Sequence, residues 1–429
     1  MWDITEIGSL EREAKYALNN NYIINILMNI LVLTPVYPNI GNEIEGLFNE
    51  QHALALKKKG VNLTVIICKP WLPKSIAKRI PRYKDLALLQ EKETRHGIDV
   101  YSARYIHVPQ YHFLTLTIYS CAFAILQIIK KHLNDISFDL IQVHSTWPVG
   151  MAAVLVARRL KCPLVVTMHI EDDAELYTRK NAQIHYQRMI SESAAIIAVG
   201  TPLVSFIEKL NGNGTPRRIE RIPNGVDHAM IQQMMKMFHP CKESGKMKFI
   251  SVCNLWRIKG VDLNLRALAR LNDRGIHDWH YTVVGDGPER IRLEELARDL
   301  GIKDRVEFTG RLLNKDAIRK VMEADVFTLP SRNESFGVVY LEAMACGKPV
   351  VACLGTGSED IVINGETGLL VPQDNVAGLA DALMYFTTAG SRVAKMGEAG
   401  RRRSLEFTWD VTADRYLSIY KKLIQPILE

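Results

Sequence analysis

The chain has 429 residues, 47% of them hydrophobic and 24% charged, with Gly, Pro and Cys in ordinary proportion. These values exclude a fibrous, low-complexity or disordered chain, and the length suits two domains of ordinary size. The formal net charge of +7 calls for an acidic partner, for which nucleoside diphosphates, anionic lipid and nucleic acid all qualify.

The cysteines are odd in number, widely spaced and partly inside apolar runs, so we interpret them as reduced core residues rather than a disulfide or zinc framework. This predicts a cytoplasmic protein, with the inner face of the membrane as the alternative location. No uninterrupted apolar stretch reaches the roughly 18 to 20 residues of a membrane span. The run from Ile23 to Leu33 lacks the layout of a signal peptide. We interpret residues 1–27 as an N-terminal extension, appended or flexible.

Strands and helices alternate from Asn29 onward. A strand from Asn29 to Thr34 is predicted to lead through the loop Pro35 to Gly46 into a helix from Leu47 to Lys59, with Gly60 as its C-cap. The apolar runs that follow are Asn62 to Cys68, Leu140 to His144, Leu164 to His169 and Ala195 to Gly200. This alternation predicts a parallel, doubly wound sheet, with the first domain over residues 28–228.

A second series of strands begins near Lys248, after a methionine-rich segment that we interpret as the interdomain linker, residues 229–245. Its predicted strands are Phe249 to Cys253, Tyr281 to Val284, Val306 to Phe308, Val326 to Leu329 and Val350 to Cys353. Amphipathic helices lie between them. The pattern predicts a second Rossmann-like domain over residues 246–407.

Two glutamates, Glu334 and Glu342, bracket a strand-to-helix junction in this second series. The run Ala324 to Pro330 is predicted to be a buried strand, and Gly337 to Cys346 the helix that follows it. Free N–H groups at the start of such a helix suit a phosphate. Glu342, about two turns further on, could accept hydrogen bonds from sugar hydroxyls. The alternative is that Glu334 caps the helix and Glu342 is a solvated residue.

The stretch from Glu334 to Val371, with its Ala343-Met344-Ala345-Cys346-Gly347-Lys348-Pro349 and Asn364-Gly365-Glu366-Thr367-Gly368 runs, resembles the donor-binding half of the retaining, nucleotide-sugar-dependent glycosyltransferases of family four. The resemblance covers the C-terminal half closely and the N-terminal half more loosely. It implies an α/β chain of GT-B fold, with two Rossmann-like doubly wound domains facing a central cleft. It also implies that the last helix, residues 408–429, returns to complete the first domain.

The resemblance implies three catalytic residues, His169, Lys259 and Glu334. His169 matches the histidine of a Thr-x-His-x-x-Asp pattern whose acid falls on Asp172. Lys259 would hold the donor diphosphate, and Arg257 would replace the arginine that relatives carry where this chain has Asn254. Judged from the sequence pattern without the resemblance, Lys259 and Arg257 could equally be basic residues of a solvated loop.

The implied donor-binding residues share a position at strand ends or helix starts: Gly46, Arg257, Lys259, Gly285, Gly287, Arg311, Glu334, Phe336, Gly337, Val338 and Glu342. Glu334 and the amides of Phe336 and Gly337 would orient the transferred sugar, while Glu342 would take the ribose hydroxyls. The glycines after strand Tyr281 to Val284 are also what a tight turn needs without any ligand.

The implied activity is transfer of a hexose-type sugar from a nucleoside-diphosphate sugar to a glycan or lipid-linked acceptor, in cell-surface polysaccharide or glycoconjugate biosynthesis. Retention would follow from front-face attack, in which donor phosphate oxygens take the acceptor proton. No metal, no cofactor and no nucleic acid partner is expected. The alternatives are a GT-B sugar-nucleotide epimerase, a phosphorylase, or a non-catalytic sugar-nucleotide-binding subunit, to which the absent arginine at Asn254 points.

A basic segment runs from Lys69 to Lys84 and carries Trp71 and Tyr83 among its cations; the basic side chains between its ends are Lys74, Lys78, Arg79 and Arg82. The apolar stretch Phe113 to Leu133 follows. Anionic headgroups attract basic residues by about 1 kcal/mol each near the surface, so the segment indicates a possible anionic membrane surface. A solvated loop followed by a core helix is the alternative.

Overall fold

The computed structural model describes residues 28–80, 83–107, 113–169, 176, 179–211, 218–238, 245–388 and 390–424. The predicted extension 1–27, the basic Arg82, the acid Asp172 and the linker residues 239–244 lie outside this range.

The first half of the described chain forms an eight-stranded sheet in the order β3-β4-β2-β1-β5-β6-β7-β8. All neighbouring strands are parallel except the edge pair β3 and β4. The strands are Asn29–Thr34 (β1), Asn62–Pro70 (β2), Lys92–Arg95 (β3), Ile98–Tyr105 (β4), Leu140–His144 (β5), Leu164–Met168 (β6), Ala195–Ala198 (β7) and Ile219–Arg221 (β8).

The second half forms a six-stranded parallel sheet in the order β11-β10-β9-β12-β13-β14. The strands are Met247–Val252 (β9), Trp279–Val284 (β10), Val306–Gly310 (β11), Val326–Thr328 (β12), Val350–Cys353 (β13) and Gly368–Val371 (β14). Two doubly wound sheets therefore stand where the alternating pattern predicted them.

Helices connect the strands of both sheets. Those of the first half are Leu47–Lys58, Lys74–Ala77, Lys84–Leu88, Leu114–His132, Val149–Leu160, Lys180–Glu192, Thr201–Asn211 and His228–Met237. Those of the second half are Val261–Asp273, Arg290–Asp299, Asn314–Glu323, Val338–Ala345, Val376–Thr388, Ser391–Ser404 and Trp409–Ile424. The first of these helices ends at Lys58, one residue earlier than predicted, and Lys59 is its C-cap; Gly60 follows at φ 87°, in a conformation that favours glycine.

Strands β1, β5 and β13 have the predicted bounds, whereas β9 and β10 begin two residues earlier than predicted. The prediction missed β3, β4, β8 and β14. Strand β12 ends at Thr328, so the predicted run to Pro330 was too long. Leu329 and Pro330 are buried, which explains why apolarity alone extended the strand into the loop.

The last helix, Trp409–Ile424, packs on the first sheet's side of the molecule. The Tyr416 hydroxyl lies 2.9 Å from Thr167 Oγ1 on β6, and the Tyr420 hydroxyl donates to Gln142 Oε1 on β5 at 3.0 Å. Trp409 Nε1 donates to Gln51 Oε1 at 2.6 Å on helix Leu47–Lys58. The final helix thus closes one face of a core that begins at residue 28.

Helix Leu114–His132 has two unlike faces. Among the helices that the structure describes, this one is long and apolar enough, by length and composition, to cross a membrane. In its most apolar 18-residue stretch, 44% of the residues are buried inside the protein. Its buried face includes Cys121 and Ile125 and packs on β4 and on helix Val149–Leu160. Its outward face carries Leu116, Tyr119 and Phe123, which are 51%, 54% and 65% exposed.

Candidate functional site

The loop after β9 brings a lysine against a glutamate from the loop after β12. Lys259 Nζ donates to Glu334 Oε2 at 2.7 Å, with the two side chains 23% and 13% exposed. Gly260 makes this approach possible, because a Cβ there would lie 2.1 Å from the carbonyl oxygen of Pro330. Two residues distant in sequence thus form one ion pair at the carboxyl edge of the second sheet, where ligands of such sheets bind.

Helix Val338–Ala345 begins directly beside this ion pair. Gly337 precedes it at φ 95°, and a Cβ there would lie 2.3 Å from the ring of Tyr340, so only glycine fits. Phe336 is buried and anchors the turn. First-turn N–H groups of a helix lack partners further back in the helix, and those of Val338 and Val339 start at the same turn that carries Glu334, whereas Tyr340 N donates to the Gly337 carbonyl at 3.1 Å. The arrangement places hydrogen-bond donors and a cation together, as an anionic group requires.

Glu342 lies within helix Val338–Ala345, and its side chain is half-buried. Asn314 Nδ2 donates to its Oε1 at 3.0 Å. Burial raises the pKa of the Glu342 carboxyl to about 7, although the hydrogen bond from Asn314 lowers it. The side chain is therefore not a solvated face residue, and near neutral pH it exists in both protonation states.

His169 follows β6 and has neighbours on both ring nitrogens. Its Nε2 lies 2.9 Å from His144 Nδ1, and its Nδ1 lies 3.5 Å from Asn224 Nδ2. The ring of Phe48 packs on it at 4.7 Å between centroids. Burial lowers the pKa of His169 to about 3 and that of His144 well below its usual value. Both imidazoles are neutral at physiological pH, so one donates to the other.

At three of the predicted donor-site glycines, the neighbouring backbone leaves no room for a side chain. A Cβ on Gly46, at φ 77°, would lie 2.5 Å from the Val36 carbonyl, and one on Gly285, at φ 135°, would lie 1.8 Å from the Cys253 carbonyl oxygen. A Cβ on Gly287 would lie 2.6 Å from the Leu255 carbonyl oxygen. The contacts of Gly285 and Gly287 fit the interpretation that these two glycines form a tight turn. They also keep the loop after β9 against the loop after β10.

Arg257 and Arg311 both have exposed side chains. Arg311 directly follows β11, on the same edge of the sheet as the lysine loop. The Arg257 carbonyl, rather than its guanidinium, makes the fixed contact, since it accepts a hydrogen bond from Arg332 Nη1 at 2.7 Å. Arg332 also pairs with Asp262 and Asp374 at 3.1 and 2.5 Å. This arginine was missed from sequence, although it holds the lysine loop in place.

Two family models match the chain: "Glycosyltransferase Family 4" over residues 49–230 and "Glycosyl transferases group 1" over residues 236–403. A putative teichuronic acid biosynthesis glycosyltransferase, TuaC, from Bacillus subtilis is 28% identical over 84% of this chain and 89% of its own. D-inositol 3-phosphate glycosyltransferase from Kribbella flavida is 30% identical over 66% of this chain and 71% of its own.

The fold also matches solved structures. Sucrose-phosphate synthase from Thermosynechococcus elongatus aligns with a TM-score of 0.73 at 20% identity, over 93% of this chain and all of that one. HepE from Anabaena, solved in complex with UDP-glucose, aligns with a TM-score of 0.64 at 18% identity, over 93% of this chain and 99% of that one. The expected GT-B architecture is thereby confirmed, and with the two family models and the 30% identical relative it follows that this chain belongs to the family-four glycosyltransferases.

Proposed function

We propose that this chain is a retaining hexosyltransferase that uses a nucleoside-diphosphate sugar and acts on a glycan or lipid-linked acceptor in cell-surface polysaccharide or glycoconjugate biosynthesis. The observation that carries the proposal is the Lys259–Glu334 ion pair at the start of helix Val338–Ala345. It brings the Lys259 ammonium group, the Glu334 carboxylate and the first N–H groups of this helix together at one place. The name of TuaC, which refers to teichuronic acid biosynthesis, supports a biosynthetic role, and the HepE complex with UDP-glucose supports a nucleotide-sugar donor.

The ion pair suggests how donor binding and sugar orientation are coupled. Lys259 Nζ donates to Glu334 Oε2 at 2.7 Å, so each charge offsets the other. A donor diphosphate would compete for the same ammonium group, and its charge grows as the sugar departs, so Lys259 would stabilise the transition state. Glu334, released from the lysine, would then accept hydrogen bonds from the sugar hydroxyls. A donor phosphate oxygen would take the acceptor proton.

His169 would contribute as a neutral group. Its lowered pKa excludes an imidazolium near pH 7, so it would donate or accept a single hydrogen bond rather than supply a proton. Glu342 would accept from the ribose hydroxyls of the donor when ionised. Gly46, Arg257, Gly285, Gly287 and Arg311 would be further donor contacts in this proposal.

Product analysis tests the proposal. Wild-type protein is incubated with radiolabelled UDP-, GDP- and ADP-sugars and a panel of glycan and lipid-linked acceptors, with Glu334→Gln as the inactive control. The expected result is a labelled acceptor whose new bond keeps the donor's anomeric configuration by NMR. An inverted product contradicts retention, a changed sugar nucleotide without transfer indicates an epimerase, and tight nucleotide binding without turnover indicates a binding subunit.

We also propose that the acceptor is reached at an anionic membrane surface. The observed exposures support this: Trp71 is 57% and Ile76 45% exposed within the basic segment, where Lys78 and Arg79 also face solvent. The outward face of helix Leu114–His132 adds exposed aromatic residues, and Lys130 and Lys131 follow at its end. Aromatic rings favour the interface while cations meet the headgroups.

Vesicle co-sedimentation tests this second proposal. Wild type should pellet with anionic but not neutral vesicles, and less at high salt because the Debye length falls from about 10 Å at 0.1 M to about 3 Å at 1 M. Lys78→Ser with Arg79→Ser should lose binding, whereas Arg298→Ser with Arg319→Ser, equally charged and exposed in the second half, should not. Equal binding to both vesicle types would favour a soluble acceptor.

A further inference from the structure

One carboxylate joins the two domains. Asp360 closes the 3₁₀ helix Gly357–Asp360 of the second domain, and its Oδ2 accepts from the Thr201 backbone N–H at 2.7 Å. Its Oδ1 accepts from the Thr201 hydroxyl at 2.6 Å and from Arg221 Nη1 at 2.9 Å. Thr201 begins helix Thr201–Asn211 of the first domain. Asp360 therefore caps a helix of the other domain, in the manner of an N-cap aspartate.

Beside this cap, the backbone of the first domain touches the segment that carries Glu334. A Cβ on Gly200 would lie 1.9 Å from the carbonyl oxygen of Ser335. On the other side, Gly357 N donates to the Glu334 carbonyl at 2.6 Å, and a Cβ on Gly357 would lie 2.1 Å from the same Ser335 oxygen. The Ser335 carbonyl is thus held between Gly200 of the first domain and Gly357 of the second.

The same junction lies next to His169. Strand β7 ends two residues before Gly200 and pairs with β6, whose end carries His169. Val199 N donates to the Met168 carbonyl at 3.3 Å. The contact between Gly200 and Ser335 therefore links the segment that carries Glu334 to the strand end that carries His169.

We propose that Asp360 is a positioning residue for sugar transfer. By capping helix Thr201–Asn211 across the cleft, it holds Gly200 against Ser335 and so sets the place of Glu334 relative to His169. The Asp360 side chain is only 10% exposed, and Arg403 Nη2 donates to the Asp360 backbone carbonyl at 3.3 Å, so the residue is held through its backbone as well as through its carboxylate. This inference rests on the proposed function for its catalytic consequence, but the cap itself is a separate structural claim.

The test compares three variants with a matched control. Asp360→Ala removes the cap, Asp360→Asn keeps one acceptor oxygen for Thr201, and Gly200→Ala disturbs the same junction without removing any charge. Asp381→Asn is the control, since Asp381 pairs at 2.6 Å with Arg274 of its own domain. The readouts are kcat, UDP affinity by calorimetry, and hydrogen exchange of the first-turn amides of helix Thr201–Asn211.

Asp360→Ala and Gly200→Ala should lower kcat on the order of 10- to 100-fold, the range expected when reacting groups are misplaced by about 1 Å. UDP affinity should change less than about threefold, because the contacts proposed for the diphosphate and ribose, Lys259 and Glu342, lie in the second domain. A variant that merely unfolds the protein would lose UDP binding together with kcat. First-turn exchange should accelerate in Asp360→Ala and partly recover in Asp360→Asn. The control should match wild type in all three readouts.

A kcat within about twofold of wild type in both Asp360→Ala and Gly200→Ala would overturn the positioning role. So would losses of kcat and UDP affinity that merely follow a loss of folded protein by circular dichroism. If wild type transfers no sugar from any donor, the proposed function fails on its own. The exchange readout then still decides on the cap, and unchanged first-turn exchange in Asp360→Ala would overturn it.

Discussion

Replacing Glu342 by glutamine should make the free energy of unfolding fall less as the pH rises. Its carboxyl has a pKa of about 7 in the folded protein, against an ordinary value of 4.5, because burial disfavours the charged form. A group whose pKa is raised on folding stabilises the protein fully below pH 4.5. That stability is lost as the pH rises through 7, since the half-buried side chain must then carry a charge.

The size of the effect follows from the pKa values. At about 1.36 kcal/mol for each tenfold change in the ionisation constant, a rise from 4.5 to about 7 corresponds to at most about 3.4 kcal/mol of stability lost between acid and alkaline pH. Partial exposure and the hydrogen bond from Asn314 reduce this, so about 1 to 3 kcal/mol is expected. Glutamine matches the neutral carboxyl in shape and never ionises.

Urea unfolding of the ligand-free protein at pH 5 and pH 8 measures the difference. Glu342→Gln should exceed the wild-type free energy of unfolding by only a small margin at pH 5, just above the ordinary pKa of 4.5, and by most of the expected difference at pH 8. Comparing variants at each pH cancels the titration of all other groups. Glu366→Gln, an exposed glutamate of the same domain, should follow wild type at both pH values. If the difference between Glu342→Gln and wild type is the same at pH 5 and pH 8, the pKa argument is refuted.

The remaining predictions concern catalysis. Glu342→Ala should weaken nucleoside diphosphate binding by roughly 10- to 150-fold, the value of a charge-assisted hydrogen bond of about 1.5 to 3 kcal/mol, and unchanged affinity by calorimetry would reject the ribose role. Lys259→Ala should lower kcat far more than nucleotide affinity, and Arg257→Ala measured beside it should show a smaller loss of the same kind if Arg257 contacts the diphosphate. Activity measured in EDTA should persist, because cationic side chains and helix N–H groups neutralise the leaving diphosphate in the proposed mechanism; a complete loss that added metal restores would contradict it.

Local sequence patterns predicted the secondary structure around Glu334 and Glu342 well. A buried strand, a glycine turn and a short helix follow one another within about twenty residues, so spacing alone places Glu334 at the turn and Glu342 in the helix. The ion pair between Lys259 and Glu334 is different, since 75 residues separate its members. The resemblance suggested that they share a site, and periodicity could not have done so.

The missed features depend on partners remote in sequence. Strand β3 reads Lys-Glu-Thr-Arg and has no apolar residue, because it is an edge strand held by backbone pairing with β4. Strand β4 is buried on both faces, with Ile98 and Val100 in one core and Tyr101, Ala103 and Tyr105 in the other, so no alternation of apolar and polar residues marks it. Arg332 and Asp360 look like ordinary loop charges until the fold brings Asp262 and Thr201 to them.

The position of the last helix, Trp409–Ile424, has a consequence for biosynthesis. Strands β1 to β8 are complete by Arg221, yet the face that Ala413, Tyr416 and Tyr420 cover stays open until about 200 residues later. At about 5 to 20 residues per second, a ribosome takes on the order of 10 to 40 seconds to supply them. During that interval the nascent first domain presents apolar surface to the cell, so chaperone binding is expected to concentrate there, and a stop codon before Trp409 should send most of the product to aggregation or proteolysis.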